Sequence, residues 1–213
     1  MSGAANVRTD ASRLSRLDQA LHRLEAALTL VAGLLILSLM GLAVLSVGGR
    51  NFAGKPLPGY VDWIEAIMPA IALLGVAYTM RLGGHIRMDL VVGQLRGRVL
   101  WAVEALTTLV VLVVVLALIW GSFSHFGRSF DLGMPNWSRD SSIDIGLPIW
   151  PSKIVVPLAL AVLAVRLLLQ LVGFARGMRS GETPPAVPLA ESVEEQAAAE
   201  AAAMEAPRRG DGR

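Results

Sequence analysis

Two long apolar runs without a charged side chain constrain this chain more than any other feature of its sequence. Residues 26–49 and 105–127 contain no Asp, Glu, Lys or Arg. An α-helix needs about 20 mostly apolar residues to cross the roughly 30 Å of hydrocarbon in a lipid bilayer. Each run is long enough, so both predict membrane-spanning helices.

Two shorter apolar stretches predict a second pair of spans. The stretch 66–80 is charge-free but begins directly after Glu65, and the stretch 154–165 is followed by Arg166 and a further apolar run. Each stretch becomes long enough if its flanking charged side chains extend to the lipid headgroups. We therefore expect an all-α membrane protein with four transmembrane helices.

The composition agrees with a membrane protein and excludes several classes. Of the 213 residues, 54% are hydrophobic and 17% are charged, whereas a soluble domain carries about 25% charged residues. This excludes an ordinary soluble enzyme. The absence of cysteine excludes disulfides, thiolate chemistry and Cys-ligated metals. A net charge of +2 fits basic loops beside an anionic membrane surface, so we expect a lipid partner and no nucleic acid.

The distribution of basic residues predicts the orientation. The N-terminal flank, the connection between spans two and three and the C-terminal side together hold 14 Lys and Arg, against 5 in the other two connections. Because cytoplasmic flanks carry the excess of basic residues, we expect both termini in the cytoplasm. We divide the chain into a cytoplasmic N-terminal segment (1–25), a transmembrane domain (26–179) and a disordered cytoplasmic tail (180–213).

The segment before the first span has two interpretations. Leucines at 14, 17, 21 and 24 follow a helical spacing with arginines between them, which predicts an amphipathic helix on the inner leaflet. The same residues fit a simple extension of the first span equally well. We expect this span to be an uncleaved anchor, because its apolar run is too long for a signal peptide.

Ionisable side chains inside the membrane are costly, so they are the first candidates for function. The run 26–49 has none, and we expect no mid-membrane site for an ion or an acid. Glu65, about a turn inside span two, is the best single candidate. It is either a carboxylate favoured by the helix dipole at a helix N-terminus or one half of an ion pair with a partner helix.

A polar motif follows span two. It contains His85, Arg87 and Asp89 after a pair of glycines. His85 and Asp89 are four residues apart and would share one face of a helix. A structural turn explains this motif better than a metal site, since two ligands at one spacing often occur by chance. We expect no metal.

Haem is the main redox alternative, and it needs two histidines at the same membrane depth on facing helices. The predicted topology places His85 at the inner face and His125 at the outer face, so these two cannot ligate one iron. His22 with His85 is geometrically allowed, but His22 belongs to the lead-in segment. The histidine positions thus disfavour haem, and we expect no cofactor and no catalytic residue.

The connection between spans three and four, residues 128–152, is long enough to have its own structure. It mixes aspartates and an arginine with tryptophans and prolines. Two functions fit this pattern, a solvated connector and a docking surface for a periplasmic or extracellular protein.

Several features in this order resemble the small membrane subunit of tripartite ATP-independent periplasmic (TRAP) transporters, the DctQ-like family. The resemblance covers roughly residues 15–176. It rests on Arg50-Asn51-Phe52 after span one, Trp63-Ile64-Glu65 opening span two, Gly84-His85-Ile86-Arg87-Met88-Asp89, and Leu147-Pro148-Ile149-Trp150-Pro151 through Pro157. Met88 stands where the family's signature usually has valine.

The resemblance implies a subunit of a sodium-coupled uptake system for organic acids in a bacterial inner membrane. A separate large permease subunit would bind substrate and sodium ions, and a periplasmic substrate-binding protein would deliver the substrate. The small subunit would extend the scaffold against which the large subunit moves in an elevator-like way. Glu65, His85, Arg87 and Asp89 would then be structural or partner-interface residues. A stand-alone four-helix scaffold or assembly protein is the alternative.

Overall fold

A computed structural model describes residues 13–81 and 98–180 of the chain. Within these ranges the chain is helical and forms no extended strand. The elements are α1 (Arg13–Ala53), α2 (Tyr60–Leu74), α3 (Val76–Arg81), α4 (Arg98–Ser129), a 3-10 turn (Pro135–Trp137) and α5 (Trp150–Ser180). The tail and the segment that carries His85, Arg87 and Asp89 lie outside the described residues.

Four helical stretches in the described residues are long and apolar enough to cross a membrane, as predicted. They are Leu14–Ala53, Tyr60–Arg81, Val99–Ser129 and Trp150–Arg179. The second of them combines α2 and α3, which are separated by a turn at Gly75. The prediction of an all-α membrane protein with four transmembrane helices is therefore confirmed.

The lead-in segment and the first span form one continuous helix. α1 has 41 residues, which at about 1.5 Å per residue gives a length of about 60 Å. This is about twice the hydrocarbon thickness of a bilayer, so α1 either tilts or extends beyond the hydrocarbon. Of the two interpretations of the leucine pattern, the structure shows the extension of span one.

The core lies where α3, α4 and α5 meet. Buried side chains from these three helices form one hydrophobic cluster: Ala77, Leu112, Val115, Leu160, Leu163, Ala164 and Leu167. α4 and α5 pack along much of their length. By contrast, α1 exposes apolar residues around most of its circumference in its middle section, for example Leu30, Val31 and Ile36. A helix that is apolar on all sides fits lipid or partner helices around it.

Candidate functional site

Two arginines and two carboxylates form a buried cluster between α1, α3 and α5. Arg166 of α5 donates hydrogen bonds to both oxygens of Glu25, with Nε–Oε1 at 2.7 Å and Nη2–Oε2 at 2.6 Å. Its Nη1 donates to Asp18 Oδ1. Arg81 Nη2 donates to Asp18 Oδ2 at 3.0 Å. We call these four residues the charge cluster.

The charge cluster is buried inside the helix bundle. Arg166 and Glu25 have no exposed surface, and Asp18 is 1% exposed. Asp18 and Glu25 lie seven residues apart, which is about two helical turns, so both point from the same face of α1. The bidentate Arg166–Glu25 pair has the geometry of the stronger charge-assisted hydrogen bonds. Two positive and two negative charges balance, as a low-dielectric site requires.

One sequence-based expectation is wrong here. The Arg166 side chain does not extend outward from the bundle, because Glu25 and Asp18 provide counter-charges inside it. Asp18 and Glu25 precede the charge-free run 26–49 on the same continuous helix α1. A signal was present in the sequence: two acidic residues on one helical face, and a single arginine inside an apolar run.

His22 lies between the two acidic residues of the charge cluster along α1. Its ring stacks on Tyr78, with centroids 5.8 Å apart and planes inclined by 17°. Its Nδ1 is buried and has no hydrogen-bond partner within the described residues. An apolar groove of about 420 Å³ adjoins Tyr78 and is lined on α1 by Ala26, Thr29, Leu30, Gly33 and Leu34.

At the opposite end of the bundle, Asp62 holds the connection between α4 and α5. Its Oδ2 accepts three hydrogen bonds, from Ser142 Oγ at 2.7 Å, Asp144 N at 3.1 Å and Ile145 N at 2.9 Å. We call residues 130–149 the outer loop. Asp62 is in the first turn of α2, so this contact fixes the outer loop to the start of span two.

Gly59 allows this close approach. Its φ of +71° lies in the left-handed region, which glycine adopts without the steric cost of a Cβ. A Cβ at this position would lie 2.5 Å from Cδ1 of Ile145. The absence of a side chain at Gly59 is therefore required by the path of the outer loop.

A second polar contact fixes the other end of the outer loop. Asp140 Oδ2 accepts hydrogen bonds from Lys153 Nζ at 2.9 Å and from Ser129 Oγ at 2.5 Å. These two partners belong to α5 and α4. The Lys153 ammonium and the Ser129 hydroxyl hold the pKa of the Asp140 carboxyl below its ordinary value of 3.8. The outer loop is thus fixed to α2, α4 and α5.

The outer loop presents apolar side chains at its surface. Leu132, Met134, Trp137 and Ile143 are all about half exposed or more. Asn136 and Trp137 both have positive φ values, 56° and 55°, and such strained backbone persists only where the surroundings fix it. Here Trp150 Nε1 donates to the carbonyl oxygen of Asn136 at 3.0 Å. The surface is therefore preorganised.

The comparison with known families gives a match that reaches from α1 into α5. The family model described as "Tripartite ATP-independent periplasmic transporters, DctQ component" matches residues 39–177, more than half of the chain. The chain belongs to this family. No curated protein matches it significantly. As a DctQ component it is a TRAP transporter small membrane subunit, and the predicted resemblance is confirmed.

The structure places one of the four predicted site residues of this DctQ component. Glu65 is exposed on α2, one turn after Asp62, and its role as a partner-interface residue stays a prediction. His85, Arg87 and Asp89 lie outside the described residues, as noted above. Within residues 13–81 and 98–180, no group of three or more His, Asp or Glu is arranged to hold a metal ion.

Replacing Asp62 by asparagine should release the outer loop. Asparagine keeps one acceptor oxygen, but it loses the charge that strengthens three hydrogen bonds. We expect trypsin cleavage after Arg139 to accelerate about tenfold, because local opening governs proteolysis of a folded loop. Asp144→Asn is the matched control, since the Asp144 side chain is exposed. Equal cleavage rates for both variants and the native chain would contradict the role of Asp62.

The Asp140 contact should depend on pH in a defined direction. Because the folded protein lowers the pKa of Asp140 below 3.8, the ionised carboxylate stabilises the fold above that pH, and this stabilisation is lost as the pH falls through the folded pKa. The difference in melting temperature between the native chain and Asp140→Asn should be constant from pH 8 to about 5 and shrink below about 4. A difference that persists unchanged at pH 3 would contradict this assignment.

Proposed function

We propose that this chain is the small permease subunit of a sodium-coupled TRAP uptake system for organic acids. It pairs with a separate large permease subunit in a bacterial inner membrane, with both termini in the cytoplasm. The observation that carries the proposal is the match to the DctQ component over residues 39–177. The excess of basic residues in the flanks assigned to the inside supports the orientation.

The charge cluster supports a scaffold role over a transport site. Both of its carboxylates accept hydrogen bonds from arginine, so they are not free to bind an ion or a substrate. A transport site for an ion or an acid needs polar groups that can exchange partners. We infer that substrate and sodium ions bind to the large subunit, whose mobile part moves against this chain in an elevator-like way.

The exposed middle of α1 is the surface that we assign to the large subunit. Gly33 and Gly41 are exposed there, and a Cβ at either position would meet nothing within 4 Å. Small residues allow helices in a membrane to approach closely. The apolar residues of α1 then pack against partner helices, and Glu65 contributes to the same interface as a polar contact.

The outer loop supplies the surface for the periplasmic substrate-binding protein in this proposal. Its backbone is fixed at both ends by Asp62 and Asp140, and its exposed apolar side chains include Trp137 and Ile143. A rigid surface with aromatic and aliphatic groups loses little entropy when a partner binds.

A pull-down of the tagged chain in mild detergent, followed by mass spectrometry, tests the proposal. A large polytopic partner recovered near one-to-one is the expected result. A chain that is recovered alone from its native host would indicate a stand-alone membrane scaffold instead.

The same assay tests the assignment of α1. Gly41→Leu should lower recovery of the large subunit about tenfold, because leucine separates the helix backbones, whereas the isolated chain has room for it. Gly121→Leu on α4 is the matched control, since Gly121 is also exposed and a Cβ there meets nothing within 4 Å. A loss with Gly121→Leu but not with Gly41→Leu would move the interface to α4.

A further inference from the structure

Arg166 lies inside the hydrocarbon, about one helical turn from its inner edge. Trp150 begins α5 and belongs to the aromatic residues beside the outer loop. Tryptophan is enriched at the membrane interface, so Trp150 marks the outer boundary. At about 1.5 Å per residue, Arg166 is then about 24 Å along α5, within the roughly 30 Å of hydrocarbon.

The groups that neutralise Arg166 come from the first helix of the chain. Arg166 forms ion pairs with Glu25 and Asp18, and Asp18 also pairs with Arg81. α1 and α5 otherwise have few contacts, since α5 packs mainly on α4. The charged contact between α1 and α5 is therefore specific, and packing alone would not reproduce it.

Without its counter-charges, Arg166 is closest to water at the inner headgroups. α5 can move inward by about one turn, 5.4 Å, which brings the guanidinium to the inner headgroups. Exposed Arg179 at the inner end of α5 does not oppose this shift, because it moves further into water. The packing of α5 on α4 resists it, as do the outer contacts of Trp150 with Asn136 and of Lys153 with Asp140.

We propose that Asp18 and Glu25 determine the depth of α5 in the membrane by serving as the counter-ions that Arg166 requires in the hydrocarbon. The depth of the last span therefore depends on two carboxylates of α1. One arginine thus fixes the position of α5 relative to α1, although the two helices are far apart in sequence. This inference concerns the chain itself and does not depend on the proposed transport function.

The absence of native cysteine allows the depth to be measured with single introduced thiols. Leu168 is exposed towards the membrane, just beyond Arg166 on α5. In inside-out membrane vesicles, we expect a water-soluble maleimide to label Leu168→Cys slowly in the native background. In the Asp18→Asn/Glu25→Gln background, labelling should accelerate at least about tenfold, because the inward shift brings this position to water.

Two further variants make the test specific. Adding Arg166→Leu to Asp18→Asn/Glu25→Gln should return labelling to the native rate, since no charge then drives the shift. Asp144→Asn makes the same chemical change as Asp18→Asn at an exposed carboxylate outside the membrane and should leave labelling unchanged. In right-side-out vesicles, Ile143→Cys in the fully exposed part of the outer loop reports that the loop is still outside.

Equal labelling of Leu168→Cys in all backgrounds would overturn the proposal. So would fast labelling that persists after Arg166→Leu is added, because the unpaired arginine would then not be the cause. If the Asp18→Asn/Glu25→Gln variant does not accumulate in the membrane, the amount of protein in the membrane is measured instead. Recovery of the native level upon adding Arg166→Leu supports the proposal, and no recovery overturns it.

Discussion

Replacing Glu25 by leucine should destabilise the protein by about 3–5 kcal/mol, the range found when one partner of a buried ion pair is removed. Arg166 has no exposed surface, so its guanidinium would lose a bidentate partner without gaining water. This is the largest effect on stability that we expect from a single substitution in the described residues. An unfolding titration in mixed micelles measures it.

The double variant Glu25→Leu/Arg166→Leu distinguishes two quantities. One is the net stability that the ion pair contributes, and the other is the stability lost when Arg166 is left without its partner. Replacing both members of a buried pair by apolar residues is often neutral or stabilising, so most of the lost stability should return. Glu65→Leu is the control, since Glu65 is exposed. A double variant as unstable as Glu25→Leu alone would show that Arg166 is not the reason for the loss.

The charge cluster also shows where the sequence was informative. Counting charge-free residues predicted four spans correctly, because an unpaired charge in hydrocarbon is costly. The same count began the first span at Ala26 and placed Asp18 and Glu25 outside it. Whether a helix continues through a charged segment depends on partners elsewhere, here Arg166, 141 residues after Glu25. A local sequence pattern gives no information about a contact between residues so far apart.

The outer loop illustrates a second limit. Its length and its mixture of prolines, tryptophans and charges predicted local structure, and they left a connector and a docking surface open. The structure adds that Asp62 accepts three hydrogen bonds from a segment about 80 residues later. Such a contact follows from the meeting of two helix ends in space. Only the turn-forming glycine at 59 gave a local signal.

The motif of His85, Arg87 and Asp89 supplies information of a different kind. It indicated the family without any knowledge of contacts, and the family match over residues 39–177 agrees with it. The structural or interface role of its residues stays a prediction. Glu65, by contrast, is placed by the structure on the exposed surface of α2, which is compatible with a partner contact and excludes a buried pair within the described residues.

Omitting this chain from a reconstituted transporter should abolish uptake. If the chain is part of the static scaffold, the large subunit without it lacks the surface against which it moves, and uptake of a radiolabelled organic acid should fall to the level of empty vesicles. Vesicles with the large subunit, the binding protein and a sodium gradient, prepared with and without this chain, provide the measurement. Full transport without the chain would refute the proposed function.

The same vesicles test the predicted interface residues. His85→Ala or Asp89→Ala should reduce uptake or recovery of the complex without changing which substrate is preferred, because neither residue is expected to touch the substrate. Competition with a panel of unlabelled carboxylic acids measures that preference. A change of preferred acid in either alanine variant would place the motif at the substrate path, and the chain would then contribute to recognition as well as to the scaffold.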